Sequence, residues 1–472
     1  MCKEINNFYD NINDIYFTIF DVHANLFTRD SSQNGSARPI FKPNIPLILK
    51  GEDIMANKTS YGRHWAIAVL SFLLVFFAVG AIVTAYSTTS YYVMEEWGIN
   101  NTQNGIMITV RTLAAVAAMY FAQFYYKKLS LKIGLPVSLI MGALGYAIFA
   151  VANNLSLGLV AMVVLGLSHG LAGMYAVTLL VNRWFIKRKG LVLGVVTTGS
   201  GFTTMIFPPL LVKLVESFSL SLTFWAVAVM FAVLAVVAFF VVANYPEDIG
   251  LTAMGAGEAL EAKKVRAVSD KFAPAKSHLV LMLVTAFIIG PVCYSQGQFR
   301  TLVFTSNGWS VAAAAAATST YGLMVIIGKL IYGPVTDRWS FRKCTVPFFL
   351  ILAVSHVMLS LSGAVWFNQF FATIANVLYG LGGPVCTIGL ALYSIEMAPE
   401  GQSEKWASYY LVAYNVGALI FNQLCGVMAD AAGNNYNAVF MMFAALCVVA
   451  AITSQLAYSG AYKRYKKLNK EN

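Results

Sequence analysis

Twelve times along this chain an apolar run reaches the length of about 20 residues that a helix needs to cross a bilayer. In hydrocarbon every backbone N–H and C=O must be satisfied within the protein, and long unbroken apolar runs do this as helices. The runs lie at roughly 64–92, 104–126, 134–153, 155–182, 190–213, 220–244, 279–305, 312–335, 344–364, 367–394, 406–429 and 437–461. The expected fold class is an all-α integral membrane protein of 12 transmembrane helices. Composition agrees. Of 472 residues, 58% are hydrophobic, 14% aromatic and only 11% charged, whereas a soluble domain carries about 25% charged residues. Mean hydropathy is +0.67. The net charge of +11 does not imply nucleic-acid binding, because the basic residues sit in short clusters between spans and form no single basic face. The six cysteines are scattered, with neither a disulfide framework nor metal-ligand spacing.

Basic residues in short loops orient such a chain. One side holds Arg63, Lys127, Lys128, Lys132, Arg183, Lys187, Arg188, Lys189, Arg338, Arg342, Lys343 and the Lys463–Lys467 cluster. The other holds Glu95, Glu96, Asn153, Asn154, Glu216 and Asp430. Both termini are expected in the cytoplasm, with the chain in a bacterial inner (plasma) membrane. The mixed-charge stretch 245–278 divides the spans into bundles at 55–244 and 279–462, followed by a basic tail at 463–472. Residues 1–54 are Asn- and Asp-rich without a sustained period. They read as a disordered N-terminal tail or as a mis-assigned start. Met55 opens "MANKTSYGRHW" in the manner of a bacterial start, and Gly51-Glu52-Asp53 can be coded by a purine-rich ribosome-binding site.

The halves look related. "VLGLSHG" (164–170) aligns with "LYGLGGP" (378–384) at a shift of 214, span 5 with span 11 at 216, and the basic loop after span 2 with that after span 8 at about 211. A parallel six-plus-six repeat places a pathway between two pseudo-symmetric six-helix bundles.

"GPVTDRWSFRK" (333–343) resembles the signature of the major facilitator superfamily between spans 8 and 9, through Gly333, Asp337, Arg338, Arg342 and Lys343. Glycine permits close helix approach, and Asp337 can face a helix N-terminus. The matching first-half loop, "AQFYYKKLSLK", carries Tyr126 where the acid is expected. Within the superfamily, "NRWFIKRKGLVLGVVTTGSGFTTMIFPPL" (182–210) resembles the monocarboxylate-transporter-like and oxalate/formate-antiporter-like branches. In those branches an arginine on span 8, eight residues before the loop aspartate, is taken to bind substrate carboxylate. Lys329 occupies that position here. The acidic-glycine signature of those branches at span 1 is not visible.

No Asp or Glu lies deep in any span, yet cations do. Lys329, in "IIGKLIYG", lies about 12 Å from the cytoplasmic end at 1.5 Å per residue. Arg111 lies in span 2 nearer the outer face, and Arg300 lies late in span 7. A buried unpaired cation is costly, so a bound anion is the favoured partner for Lys329. Snorkelling of the lysine stem toward the interface is the alternative. Arg111 reads either as a substrate ligand or as an outer-gate donor to backbone carbonyls. His169, in mid-span 4, is the proton-coupling candidate, with a neutral hydrogen-bonding role as its alternative. His356 in span 9 is a weaker one. Tyr86 with Ser87, Tyr294 with Gln296 and Gln298, and Asn415 with Asn422 supply uncharged polar groups in spans 1, 7 and 11. Tyr86, Gln296 and Asn415 join Lys329 and Arg111 as the expected substrate site.

The expected function is secondary transport of a small organic anion, a mono- or dicarboxylate, by alternating access. Coupling would be to protons or by exchange, in a monomer that needs no cofactor and no metal. A facilitator of neutral or drug-like compounds is the transport alternative, and a membrane sensor that kept a transporter fold is the non-transport one. No GxxxxGK[ST] motif points to ATP drive. No paired carboxylates or His/Asp cluster point to an enzyme.

Overall fold

A computed structural model describes residues 51–186, 189–255, 272–399 and 402–468. The chain divides into Met1–Ile54 and Met55–Asn472. Residues 1–50 of the expected tail at 1–54, residues 256–271 of the charged stretch 245–278 and the last four residues lie outside the described residues.

Among the described residues the second unit is all helical, with eleven apolar helices long enough to cross a membrane. They are Gly62–Trp97 (span 1), Asn101–Val151, Leu155–Trp184 (span 4), Leu191–Ser217 (5), Leu220–Val241 (6), Lys276–Thr305 (7), Val311–Thr336 (8), Phe341–Ser360 (9), Gln369–Leu390 (10), Lys405–Ala431 (11) and Asn437–Leu468 (12). The 51-residue helix Asn101–Val151 is spans 2 and 3 joined without a loop, because one non-helical residue, Ser130 (φ 61°, ψ 164°), breaks it. This brings the number of crossings to the expected twelve.

The repeat is built into the backbone at one constant shift. Ser130 between spans 2 and 3 and Ser340 (φ 65°) between spans 8 and 9 both hold positive φ, 210 residues apart. Span 4 breaks at Gly173, between Leu155–Ala172 and Met174–Trp184. Span 10 breaks at Gly383, again 210 residues on. Spans 1 and 7 each carry a π-helical stretch, Val75–Ala81 and Pro291–Ser295. In span 7 the cause is local. Pro291 has no N–H and crowds the preceding turn, and the ladder resumes with the Gln296 amide on the Pro291 carbonyl, five residues back.

This register corrects two sequence alignments. Spans 4 and 10 correspond at 210 and not 214, a slip of about one helical turn. At the loops after spans 2 and 8, the paired serines set Lys127, and not Tyr126, opposite Asp337.

The start of the interior connection is ordered against the first half. Met254 donates its amide to the Trp184 carbonyl at 2.9 Å, and Ile186 donates to Met254 at 3.0 Å. Arg183 donates to the Asn244 carbonyl at 3.0 Å and stacks on Tyr245.

The two halves meet through spans 2 and 11, 5 and 8, and 1 and 7. The first two pairs are the same contact made twice under the repeat, since span 2 corresponds to 8 and span 5 to 11. Small residues allow both. A Cβ on Gly105 would sit 2.9 Å from the Asn422 carbonyl, and one on Gly322 would strike the Met205 amide. By contrast Met174–Trp184, Lys189–Thr197 and Pro384–Met397, the segments of spans 4, 5 and 10 nearest the basic loops, pack mainly within their own halves.

Candidate functional site

Lys329 projects from span 8 across to span 5. It is half-buried, and its Nζ donates to the Thr197 carbonyl at 3.3 Å and toward the Ser200 hydroxyl at 3.5 Å. Span 5 prepares that acceptor. Its helix is interrupted at Thr198, and the Gly201 amide turns to the Thr198 carbonyl at 2.9 Å. The Thr197 carbonyl then receives the Ser200 hydroxyl (3.2 Å) and the ammonium. Both contacts are long and neutral, so they solvate the charge weakly without neutralising it. Cys293 of span 7 lies within electrostatic reach of Lys329, against the hydroxyls of Tyr379 and Tyr414.

Arg111 is buried at 1% exposure and ties span 2 to spans 1 and 7. It donates to the Ile82 carbonyl at 3.0 Å, to Gln298 Oε1 at 2.8 Å and toward the Tyr294 hydroxyl at 3.4 Å. Ile82 sits where the π stretch of span 1 ends. One partner of Arg111 is thus a backbone carbonyl, and the others are polar groups of the opposite half. His169 is buried beside Arg111 and the Ala78 backbone, and its Nδ1 has no partner.

Arg300 belongs to span 7. It is fully buried, with Nη1 on Asn376 Oδ1 at 2.9 Å and its guanidinium 3.9 Å above the Tyr321 ring. Gln296, one turn before it, donates to the Tyr321 hydroxyl at 3.3 Å. His356 packs edge-on to Tyr379, 5.6 Å between ring centres, and its Nδ1 meets the Leu352 carbonyl at 2.7 Å within the second-half core.

The remaining expected residues divide. Tyr86 is engaged within the first half, donating to Asn104 Oδ1 at 2.7 Å. Asn415 is half-exposed and donates to its own helix at Leu411, 2.7 Å away. Asn422 crosses the halves, donating to Thr112 Oγ1 at 3.2 Å. Of the gating motif, Gly333 makes no close helix contact: nothing lies within 4 Å of where its Cβ would be. Arg338 is exposed, Arg342 stacks 4.3 Å over Tyr462, and the Asp337 side chain is outside the described residues.

Asp430 reads from the sequence merely as a residue at a span end, yet its carboxylate caps span 2 from the other half. It accepts the Asn101 amide at 3.1 Å, Asn101 Nδ2 at 2.8 Å, the Thr102 amide at 2.8 Å and the Thr102 hydroxyl. The Asn100 side chain takes the Gln103 amide at 2.8 Å, and the Gln103 side chain takes the Asn100 amide at 3.0 Å. All four free donors of the span 2 terminus are thus satisfied, two by an acid of the opposite bundle, where the helix dipole favours an anion. Tyr436 adds a hydrogen bond to Asn101 at 2.8 Å. No sequence signal links residues more than 300 apart. The signal available is local: an N-cap asparagine with Gln103 in a capping box.

Among the described residues no group of His, Cys, Asp and Glu could hold a metal ion. The polar interior holds three cations, several amides and tyrosines, and described carboxylates only at span ends.

A family model described as Major Facilitator Superfamily matches residues 68–307 and 300–471. No curated protein matches the chain. Among solved structures, the nucleoside transporter NupG superposes with a TM-score of 0.66 at 13% identity, covering 84% of this chain and 99% of that one. A point mutant of NupG gives 0.67 at 11% identity, covering 84% and 100%. A D-xylose-proton symporter gives 0.63 at 13% identity, covering 84% and 97%. At such identities the likeness is one of fold.

Proposed function

This chain belongs to the major facilitator superfamily and is a secondary transporter of that type, and we propose that its cargo is a small organic anion bearing a carboxylate. The observation that carries the reading is the charge imbalance of the interior. Lys329, Arg111 and Arg300 are drawn from three spans on both sides of the interface, and each has only neutral acceptors among the described residues. A cation inside a membrane protein is stabilised by a partner of opposite sign, and a travelling anion supplies one.

Lys329 is the primary ligand. Its two neutral contacts are weak enough for a carboxylate to displace, and its ammonium lies between the halves, where a cargo can be handed from one side to the other. Arg111 and Gln298 close the site on the side of Asp430. With the basic loops cytoplasmic, as the positive-inside rule has it, this is an inward-facing state. Asn415 and Gln296 border the path of the cargo, and His169 is the group that would take up a coupled proton.

The test is uptake in proteoliposomes. Lys329→Ala should abolish uptake of a labelled carboxylate, and Lys329→Arg should retain a measurable fraction. Undiminished uptake by the alanine variant would overturn the assignment. Uptake of labelled xylose or uridine in preference to any acid would replace the anion with a neutral cargo. An imposed pH gradient that drives the wild type but not His169→Gln would assign the proton.

A further inference from the structure

Arg300 is a buried cation with two of its three guanidinium nitrogens unused among the described residues. Its Nη1 is spent on Asn376, whose amide is itself fixed by the Ala317 carbonyl at 2.7 Å. One face of the guanidinium lies on Tyr321, and Tyr379 flanks it at 5.0 Å. The Nε and Nη2 groups are buried and have no partner among the described residues. Those two N–H groups lie on one edge of the guanidinium and point in parallel, the arrangement that receives both oxygens of a carboxylate. Aromatic faces stabilise the charge but accept neither N–H. A charged donor left unsatisfied in a dry interior is among the more costly features a fold can carry.

The neighbourhood points the same way. Gln296 lies four residues before Arg300, on the same helix face, and its Oε1 is also buried without a partner. Tyr321, which covers Arg300, is half-buried and adjoins Cys293, the residue that also lies near Lys329. Tyr321 and Lys329 are eight residues apart on span 8, about 12 Å of helix rise; Tyr321 meets Gln296 and Arg300 of span 7, and Lys329 reaches Thr197 and Ser200 of span 5 across the interface.

We propose that the Nε/Nη2 edge of Arg300 is a second carboxylate anchor, so that the cargo is a flexible dicarboxylate held by Lys329 at one end and Arg300 at the other. This rests on the carboxylate reading of Lys329 and adds to it the number of charges on the cargo. Rigidly held by Asn376 and Tyr321, the fork offers two fixed hydrogen bonds, whereas Lys329 offers a mobile point charge. The fork therefore discriminates between acids, and the lysine attracts them.

The experiment compares labelled succinate with labelled propionate in proteoliposomes of wild type, Arg300→Gln and Asn376→Asp. Wild type should take up succinate with the lower KM. Arg300→Gln should raise the succinate KM roughly 10- to 100-fold, the range for loss of charge-assisted hydrogen bonds, and change that for propionate by less than about threefold. Asn376→Asp gives Arg300 a resident anion. It should raise the melting temperature in detergent while weakening succinate selectively, a result that holds even if Arg300→Gln does not fold. The proposal is overturned if the succinate-to-propionate ratio is the same in wild type and either folded variant. It is also overturned if the substitutions weaken both acids equally. Failure of the carboxylate reading looks different: wild type would take up neither acid, and Lys329→Ala would change nothing.

Discussion

The two ends of the interface between the bundles are built on opposite plans. At the distal end, spans 2 and 11 are locked by the Asp430 carboxylate on the amides of Asn101 and Thr102, by Tyr436 on Asn101, and by glycines at 105 and 426 that let backbones meet. At the basic end, the inner segments of spans 4, 5 and 10 pack mainly within their own halves, with the Thr197 carbonyl on Lys329 as the exception, and Gly333 faces open space. The pair formed by spans 5 and 8 repeats the pair formed by 2 and 11 but closes on Lys329 and Ser319, with no carboxylate. A pseudo-symmetric frame thus carries asymmetric fastenings. A carrier with two access states of similar stability requires that few contacts separate them.

The largest expected effect comes from wedging the closed end. A Cβ on Gly426 would overlap the Asn101 carbonyl, so Gly426→Val should prevent closure and cost about 1–3 kcal/mol of packing. Transport should fall by about 5- to 150-fold, as that free energy implies. Spin labels at Asn154 and Val365, exposed positions on opposite bundles, should move apart. Unchanged distances would show that the 2/11 contact does not hold this end shut.

Next in size is the latch. Asp430→Asn keeps the shape but loses the charge facing the helix terminus, worth about 2 kcal/mol for charge-assisted bonds. The same label pair should report a shift toward the distally open state of roughly 30-fold. Thr102→Val removes a single hydroxyl contact and should shift it less, about fivefold. If Asp430→Asn leaves the populations alone, the glycine packing alone seals the end.

The smallest effect tests the frame. Ser130 and Ser340 hold positive φ, where a side chain is strained by about 1–3 kcal/mol. Ser340→Gly should raise the melting temperature in detergent by a few degrees without altering uptake. A drop would mean that the serine hydroxyl matters more than the strain.

The spans were legible because a bilayer punishes unpaired backbone groups in every register, so composition over about 20 residues suffices to reveal them. Their junctions were less so. Lys127, Lys128 and Lys132 marked the junction of spans 2 and 3, but gave no sign that its break would be confined to the one residue Ser130. The repeat was visible but misregistered by one turn in spans 4 and 10, because glycine-rich helices match themselves nearly as well after a turn as before it. The backbone breaks at Gly173 and Gly383 set the register. In the site, Lys329 and Arg111 stood out as charges in apolar runs, which is a local property. The weight of Arg300 did not, because its cage comes from Tyr321, Asn376 and Tyr379 on two other spans. Nor was Tyr86's engagement with Asn104 readable, since a tyrosine in a helix looks the same whether it faces a neighbour or a cavity.

By itself the sequence determined a membrane-spanning helical chain of doubled design whose oily interior contains positive charges. These are sums over local residues, and solvent transfer energies act on them wherever they fold. Only the tertiary structure decided which charges meet which partners: that Asp430 fastens one bundle to the other, that Lys329 reaches a carbonyl freed by the break in span 5, and that Arg300 keeps one edge unpaired. Hydrogen bonds act over about 3 Å between residues hundreds of positions apart, and no pattern along the chain encodes that proximity.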